Sequence, residues 1–172
     1  MRFAYADPPY PGCAHMYRDH PDYAGEVDHR ALVARLVAEF ADGGALSTNS
    51  TALHMVLPMC PPDVRVMAWV KPFASFKPNV GLAYAWEPVI FWGGRKRTRE
   101  QDTVRDWVAA NITLQRGLTG AKPREFCLWL FSAFNAQPGD ELADLFPGSG
   151  AVSAAWREFT QTKPDQLSLE VA

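Results

Sequence analysis

The chain has 172 residues, 48% hydrophobic and 21% charged, which sizes it for one domain with a substantial core and leaves no room for a second. Its formal net charge of −2 excludes a molecule that attracts nucleic acid as a whole, so any phosphate contact has to be local. No apolar run approaches the length of a bilayer span, and Cys13, Cys60 and Cys127, odd in number and far apart, argue against a disulfide framework and for a reducing compartment.

Met1 leads directly into Phe3-Ala4-Tyr5-Ala6, a run that predicts a buried strand rather than a signal peptide and hence a cytoplasmic protein. At its end stands Asp7-Pro8-Pro9-Tyr10. In an open α/β sheet that edge is where ligands bind. The tetrapeptide suits a flat ring bearing an exocyclic amine: the Asp7 carboxylate and the Pro8 carbonyl can each accept one amine hydrogen. Pro8 and Pro9 stiffen the turn, and Tyr10 offers a face for stacking. Residues 12–25, rich in Tyr, Asp, His and Pro, read as a loop beside this site that orders when substrate enters. Cys13, His15, His20 and His29 match no metal-ligand spacing, so no metal is expected.

Residues 28–40 carry Leu32, Val33, Leu36, Val37 and Phe40 at helical spacing, with Gly43-Gly44 as the stop. A strand is predicted over 45–48, a short helix over 51–59 ended by Pro61-Pro62, and a strand over 64–70. Lys71 at its end could place a cation near a carboxylate or a target base. Residues 86–92 predict another strand, interrupted early by Pro88, with Trp86 and Trp92 as tryptophans that could touch bases. Arg95, Lys96, Arg97 and Arg99 then form the only dense basic run, suited to gripping phosphates. Residues 12–27 and 93–102 are therefore the expected substrate loops. A helix is predicted over 103–114, and Lys122-Pro123 opens another through Phe134, with Pro123 in its first turn.

The strand at 140–143 runs into Asp144-Leu145-Phe146-Pro147-Gly148-Ser149-Gly150, and helix-compatible sequence follows over 151–159. This is a strand, a glycine-rich loop and a helix start, without the dinucleotide-enzyme spacing or a Walker-type lysine. A last strand is predicted over 166–171, where Glu170 stands as an acid for ribose hydroxyls by the logic of Rossmann-like enzymes. The alternation implies an α/β fold, a mostly parallel sheet of about six to seven strands with helices on both faces.

The loop Asp144 to Gly150 resembles the cofactor loop of S-adenosylmethionine-dependent methyltransferases. With D-P-P-Y first and the glycine loop last, the chain resembles the permuted amino-methyltransferases that modify adenine N6 or cytosine N4 in nucleic acids. Trp69-Val70-Lys71, with Glu87 following downstream, is similar to the subfamily that contains the messenger-RNA adenine methyltransferase and its phage and bacterial relatives, which usually have tryptophan where this chain has Tyr10. The resemblance implies one Rossmann-like methyltransferase domain over 1–172 without a separate target-recognition domain. It implies S-adenosylmethionine as cofactor, bound by Asp7, Lys122, Pro123, Asp144, Phe146, Pro147, Gly148, Ser149, Gly150 and Glu170. Catalysis falls to Asp7, Pro8, Pro9 and Tyr10, and substrate contact to Tyr10, Lys71, Arg95, Lys96, Arg97 and Arg99. The expected reaction is methyl transfer to adenine N6 in DNA or RNA, DNA being the first choice, in a bacterial or phage-infected cell, on a base flipped out of any duplex. Cytosine N4, a free nucleotide or an amide as acceptor, and a catalytically silent nucleic-acid-binding subunit of the same fold, stand as alternatives. A homodimer, or a partner subunit that supplies target recognition, is compatible with the small size.

Overall fold

The computed structural model describes residues 1–19, 23–73, 80–112 and 121–161. Six strands form one sheet: β1 (Arg2–Ala6), β2 (Gly43–Ser47), β3 (Arg65–Val70), β4 (Trp86–Gly93), β5 (Trp107–Ala109) and β6 (Glu141–Asp144), in the order β5-β3-β4-β2-β1-β6. β4 is antiparallel to both its neighbours, and every other pairing is parallel. The α-helices are α1 (His29–Glu39), α2 (Leu53–Val56), α3 (Arg124–Ala133) and α4 (Ala151–Gln161). The last described strand, β6, pairs with the first, β1.

Strand alternation divides the core into two. Phe3 and Tyr5 of β1 face a cluster with Trp69, Val89 and the buried face of α3 and α4, while Ala4 and Ala6 face Leu32, Val33 and Leu36 of α1. Both faces of the sheet are thus covered, as a largely parallel sheet requires. α3 supplies Phe126, Cys127, Trp129, Leu130 and Phe131 to the first cluster, all buried. α1 begins where the Asp28 carboxylate accepts a hydrogen bond from the Ala31 N–H at 3.0 Å, an N-cap. Among the described residues no helix is long and apolar enough to cross a membrane.

Four local expectations change. Residues 107–109 form strand β5, not part of a helix. Val104, Val108 and Ile112 are four apart and imitate a helix, but Val108 and Ala110 also alternate, and Trp69 Nε1 donates to the Ala110 carbonyl at 2.9 Å, binding the segment beside β3. Residues 113 and 114 lie outside the described set, as do the predicted strand at 166–171 and Glu170.

Gly43 and Gly44 do not end α1, which stops at Glu39; they begin β2. A Cβ on Gly44 would stand 2.4 Å from the Trp92 ring, so the residue is small because an indole lies against the strand. Pro88 does not interrupt β4. It gives the ladder only its carbonyl, which accepts from the Thr48 N–H at 3.1 Å. Pro123 is the N-cap of α3 rather than part of its first turn.

Candidate active site

Because β4 alone is reversed, its first residues lie at the edge where β1, β2, β3, β5 and β6 end. Asp7 follows β1, Lys71 follows β3, Glu87 is the second residue of β4, and Lys122 stands just ahead of α3. Lys122 Nζ lies 2.8 Å from Asp7 Oδ2 and 2.5 Å from Glu87 Oε1. The other Glu87 oxygen is 3.0 Å from Lys71 Nζ. Negative and positive charges alternate along this row of four and cancel, which is how a low-dielectric edge tolerates them.

Trp69 lies beneath both lysines, its ring centre 4.6 Å from Lys71 Nζ and 5.2 Å from Lys122 Nζ. Below it, Tyr5 Oη and Ser47 Oγ are hydrogen-bonded at 2.8 Å in the buried layer.

Burial pushes Asp7 above the ordinary carboxylate range, and Glu87 adds to this, while Lys122 and the Tyr10 hydroxyl oppose it. Glu87 moves the other way: burial would raise it, but Lys122 and Lys71 prevail and hold it low. Burial would likewise lower Lys122, yet two carboxylates at contact distance keep it firmly protonated. The Tyr10 hydroxyl donates to Asp7 Oδ1 over a long 3.4 Å, and burial with the nearby carboxylates lifts it well above its usual value.

The turn continues with Cys13 N–H to the Tyr10 carbonyl at 2.8 Å. The Glu26 carboxylate accepts from the Gly12 and Ala14 N–H groups at 3.3 Å each, tying the following loop back on itself. Tyr17, in the 3-10 turn Ala14–Tyr17, has its hydroxyl pushed up by burial and by Asp7. His20 lies outside the described residues.

The glycine loop leaves the neighbouring strand at the same edge. Tyr5 and Asp144 are register partners, and the Leu145 N–H donates to the Tyr5 carbonyl at 2.9 Å. Asp144 Oδ2 accepts from Ser153 Oγ at 2.9 Å, whereas Oδ1 is buried with no hydrogen-bond partner among the described residues. Burial raises the Asp144 carboxyl. Phe146 packs on the α1 side of the core, and the Gly150 N–H closes a tight turn on the Pro147 carbonyl at 2.6 Å. Gly148 and Gly150 have φ of +47° and +74°, a region that favours glycine. A Cβ on Gly150 would meet nothing within 4 Å, and one on Gly148 only the Phe146 carbonyl at 3.9 Å. Their demand is conformational, and the space around them is open.

The basic run lies elsewhere. Arg95 to Arg99 follow the end of β4, which is paired with the start of β2, so they lie at the opposite edge of the sheet from Asp7. An eight-residue strand separates the two places, roughly 25 Å at strand rise. Arg95 makes two bonds to Asp140, at 2.6 and 2.9 Å, and one to the Asn135 carbonyl at 3.3 Å. Arg97 donates to the Asp102 carbonyl at 3.0 Å and to the Ser132 carbonyl. These two guanidiniums fasten the loop to α3 and β6 instead of facing the site, while Lys96 and Arg99 stay at that far edge. Trp92 is buried there against Gly44, and only Trp86 stands exposed near Lys71.

The residue that sequence reasoning left without a role is Glu87. Its signal was present: an acid just ahead of the apolar run Val89-Ile90-Phe91, downstream of a Trp-x-Lys, has to be paired if it is buried. Trp69 is marked by the Trp-x-Lys pattern, whereas Tyr17 carries no comparable signal.

No family model and no curated protein matches the chain. Solved structures do. M1.HpyAVI in complex with SAM has a TM-score of 0.63 at 14% identity, over 92% of this chain and 78% of its own. M1.HpyAVI alone gives 0.58 at 16% identity, over 92% and 76%. A candidate DNA modification methylase from Thermus thermophilus gives 0.52 at 18% identity, over 99% and 88%. This chain shares their α/β fold. The mostly parallel sheet of about six to seven strands expected from sequence is present with six strands among the described residues.

Proposed function

We propose that this protein is an S-adenosylmethionine-dependent methyltransferase that acts on the exocyclic amine of a nucleic-acid base, adenine N6 in DNA being the first choice. The observation that carries the reading is the adjacency of Asp7 and Asp144 at the ends of neighbouring parallel strands. It gives one sheet edge two different tasks, as a two-substrate transfer needs. The shared fold with M1.HpyAVI, solved in a SAM complex, and with a candidate DNA modification methylase supports both cofactor and substrate class.

The residues fit the cofactor. Asp144 Oδ1 is a buried acceptor in want of a donor, and the open, positive-φ turn at Gly148 and Gly150 lets backbone approach a ligand. Lys122 and Pro123 border the same edge from the α3 side. Bound there, S-adenosylmethionine supplies a methyl group already activated on a sulfonium. This chain's part is orientation and electrostatics. Asp7 accepts one amine hydrogen and the Pro8 carbonyl, bonded by no backbone N–H among the described residues, accepts the other. The nitrogen lone pair is thereby turned out of the ring plane. Asp7 would stabilise the positive charge that methylation places on the nitrogen more than it stabilises the neutral amine. The methylated nitrogen would then give its proton to solvent water, restoring the neutral amine. Tyr10 offers its ring as the stacking face.

Incubation with methyl-labelled S-adenosylmethionine and DNA or RNA, followed by digestion to nucleosides and mass analysis, tests the proposal. Label on N6 of deoxyadenosine is expected. Label on cytosine N4 would retain the enzyme class and overturn the base, and label in neither polymer would overturn the reading.

A further inference from the structure

We infer that the cavity at the opposite edge of the sheet from Asp7 is a second ligand site, independent of the methyltransferase reading above, and that it takes a nucleoside monophosphate.

The cavity measures about 320 Å3 and lies where β3 begins and β4 ends, between residues 97–106 and the end of α3. Ligand cavities run from about 300 to 1,000 Å3, so this one has the size for a single nucleotide rather than a dinucleotide. Its floor is apolar and aromatic: Met67 and Trp92 are buried, Phe91 is half-buried, and all three line it. Fixed backbone frames the wall. The Arg105 carbonyl accepts from Trp129 Nε1 at 2.8 Å, the Asp106 carbonyl accepts from the Ala68 N–H at 2.9 Å, and Arg97 donates to the carbonyls of Asp102 and Ser132. The charged side chains of the wall are thus carried by a frame that is set before any ligand arrives.

Charge decides what fills the space. Arg65, Arg97 and Arg105 all line the cavity, and among the described residues none of them is in an ion pair. The two acceptors that Arg97 holds are carbonyls, which carry no net charge, and Arg105 has the Trp107 ring, 5.6 Å from its guanidinium carbon. Three guanidiniums around one concave apolar surface focus a positive potential there, which an anion seated among them relieves. Together they offer more N–H donors than the two oxygens of a carboxylate can accept, whereas a phosphate monoester presents three acceptor oxygens in the geometry that a guanidinium fork fits.

Asp63 and Asp106 line the same cavity, and no hydrogen bond or ion pair among the described residues engages either carboxylate. Acceptor-only groups beside an anion site call for hydroxyl or amino hydrogens, the donors that a sugar and a base edge carry. Phosphate for the arginines, sugar and amino hydrogens for the aspartates and a flat ring for Phe91 and Met67 together describe a nucleotide.

Calorimetric titration of the full chain with the monophosphates of adenosine, guanosine, cytidine and uridine checks this, with the unphosphorylated nucleosides and inorganic phosphate as separate arms. At least one nucleotide should bind saturably at this site, and removal of its phosphate should weaken it by about tenfold or more. Arg65→Ala and Arg105→Ala should each weaken it to a similar degree. Both side chains are exposed and outside any ion pair among the described residues, so the variants should keep the parent's circular dichroism spectrum. Asp7→Ala, at the other rim, should bind the nucleotide as the parent does. No saturable heat from any nucleotide at millimolar concentration would overturn the site, as would an affinity indifferent to both arginine variants or one lost in Asp7→Ala. Inorganic phosphate that binds as tightly as the nucleotides would overturn the ligand class.

Discussion

Tyr5 and Asp144 stand side by side as register partners, 139 positions apart in sequence but neighbours across a parallel ladder. Each precedes a loop by one or two residues, so the D-P-P-Y turn and the glycine turn emerge together. This makes Asp7 a specific target. Asp7→Ala should abolish methyl transfer, by about a hundredfold or more, while cofactor binding persists. Lys122 keeps Glu87 as its partner, so the fold should hold. Labelled-methyl assays beside calorimetric titration check this, and a variant with normal turnover would remove Asp7 from the mechanism.

Gly148→Val should prevent cofactor binding and leave the protein folded. The residue sits at φ +47° with open space around it, so the substitution strains the turn by about 1–2 kcal/mol without a collision in the core. Titration with S-adenosylmethionine should show no heat. The circular dichroism spectrum should be unchanged.

Acid should slow the enzyme earlier than an ordinary aspartate would. Burial and Glu87 hold Asp7 above its usual range, so on acidification its ionised form is lost at a pH higher than about 4. In the proposed reaction the ionised carboxylate is the form that stabilises positive charge on the amine nitrogen. A rate profile flat down to the ordinary aspartate range would contradict the assignment.

Gly44→Ala should cost about 1–3 kcal/mol of stability, because its methyl group would need the space of the Trp92 ring. Thermal unfolding measures this. Turnover at a temperature well below the transition should be unaffected, since Gly44 belongs to the start of β2 and the chemistry to its far end.

Arg95→Ala should likewise act on stability, by about 1–3 kcal/mol, since Asp140 is buried and loses two hydrogen bonds. The folded Asp140 carboxyl is held low: burial would raise it, but the chain's amino group and Arg95 outweigh that. Its contribution is therefore fully present above the unfolded-state value and is lost as pH falls through the lower folded value. Denaturant unfolding of Arg95→Ala at neutral and acidic pH should show the deficit shrinking with acid.

How much of this was legible before folding depends on whether the signal was local. The strand before Asp7, the helix over 28–40 and the turn at Gly148 are written in short-range pattern and turn chemistry, and the structure has the elements there. The segment 103–112 misled because Val104, Val108 and Ile112 satisfy a helix spacing, while the pairing that makes 107–109 a strand is made with β3, far back in sequence. The run Arg95 to Arg99 misled for a related reason: clustering of like charge is visible in sequence, but the partners that consume Arg95 and Arg97, namely Asp140 and the carbonyls of Ser132 and Asn135, are not. Lys71 and Lys122 were marked singly as cations. That Glu87 binds the two into one row is a product of topology.

The reversed direction of β4 reaches beyond the chemistry. One continuous rod ends at Glu87 on one rim and at Gly93 on the other, so the loop after it can be altered without crossing the reaction centre. A dye or surface linker attached through Arg99→Cys would therefore project from the back of the molecule. Such a tether would leave the Asp7 rim free, a practical route to testing the proposed transfer on single molecules.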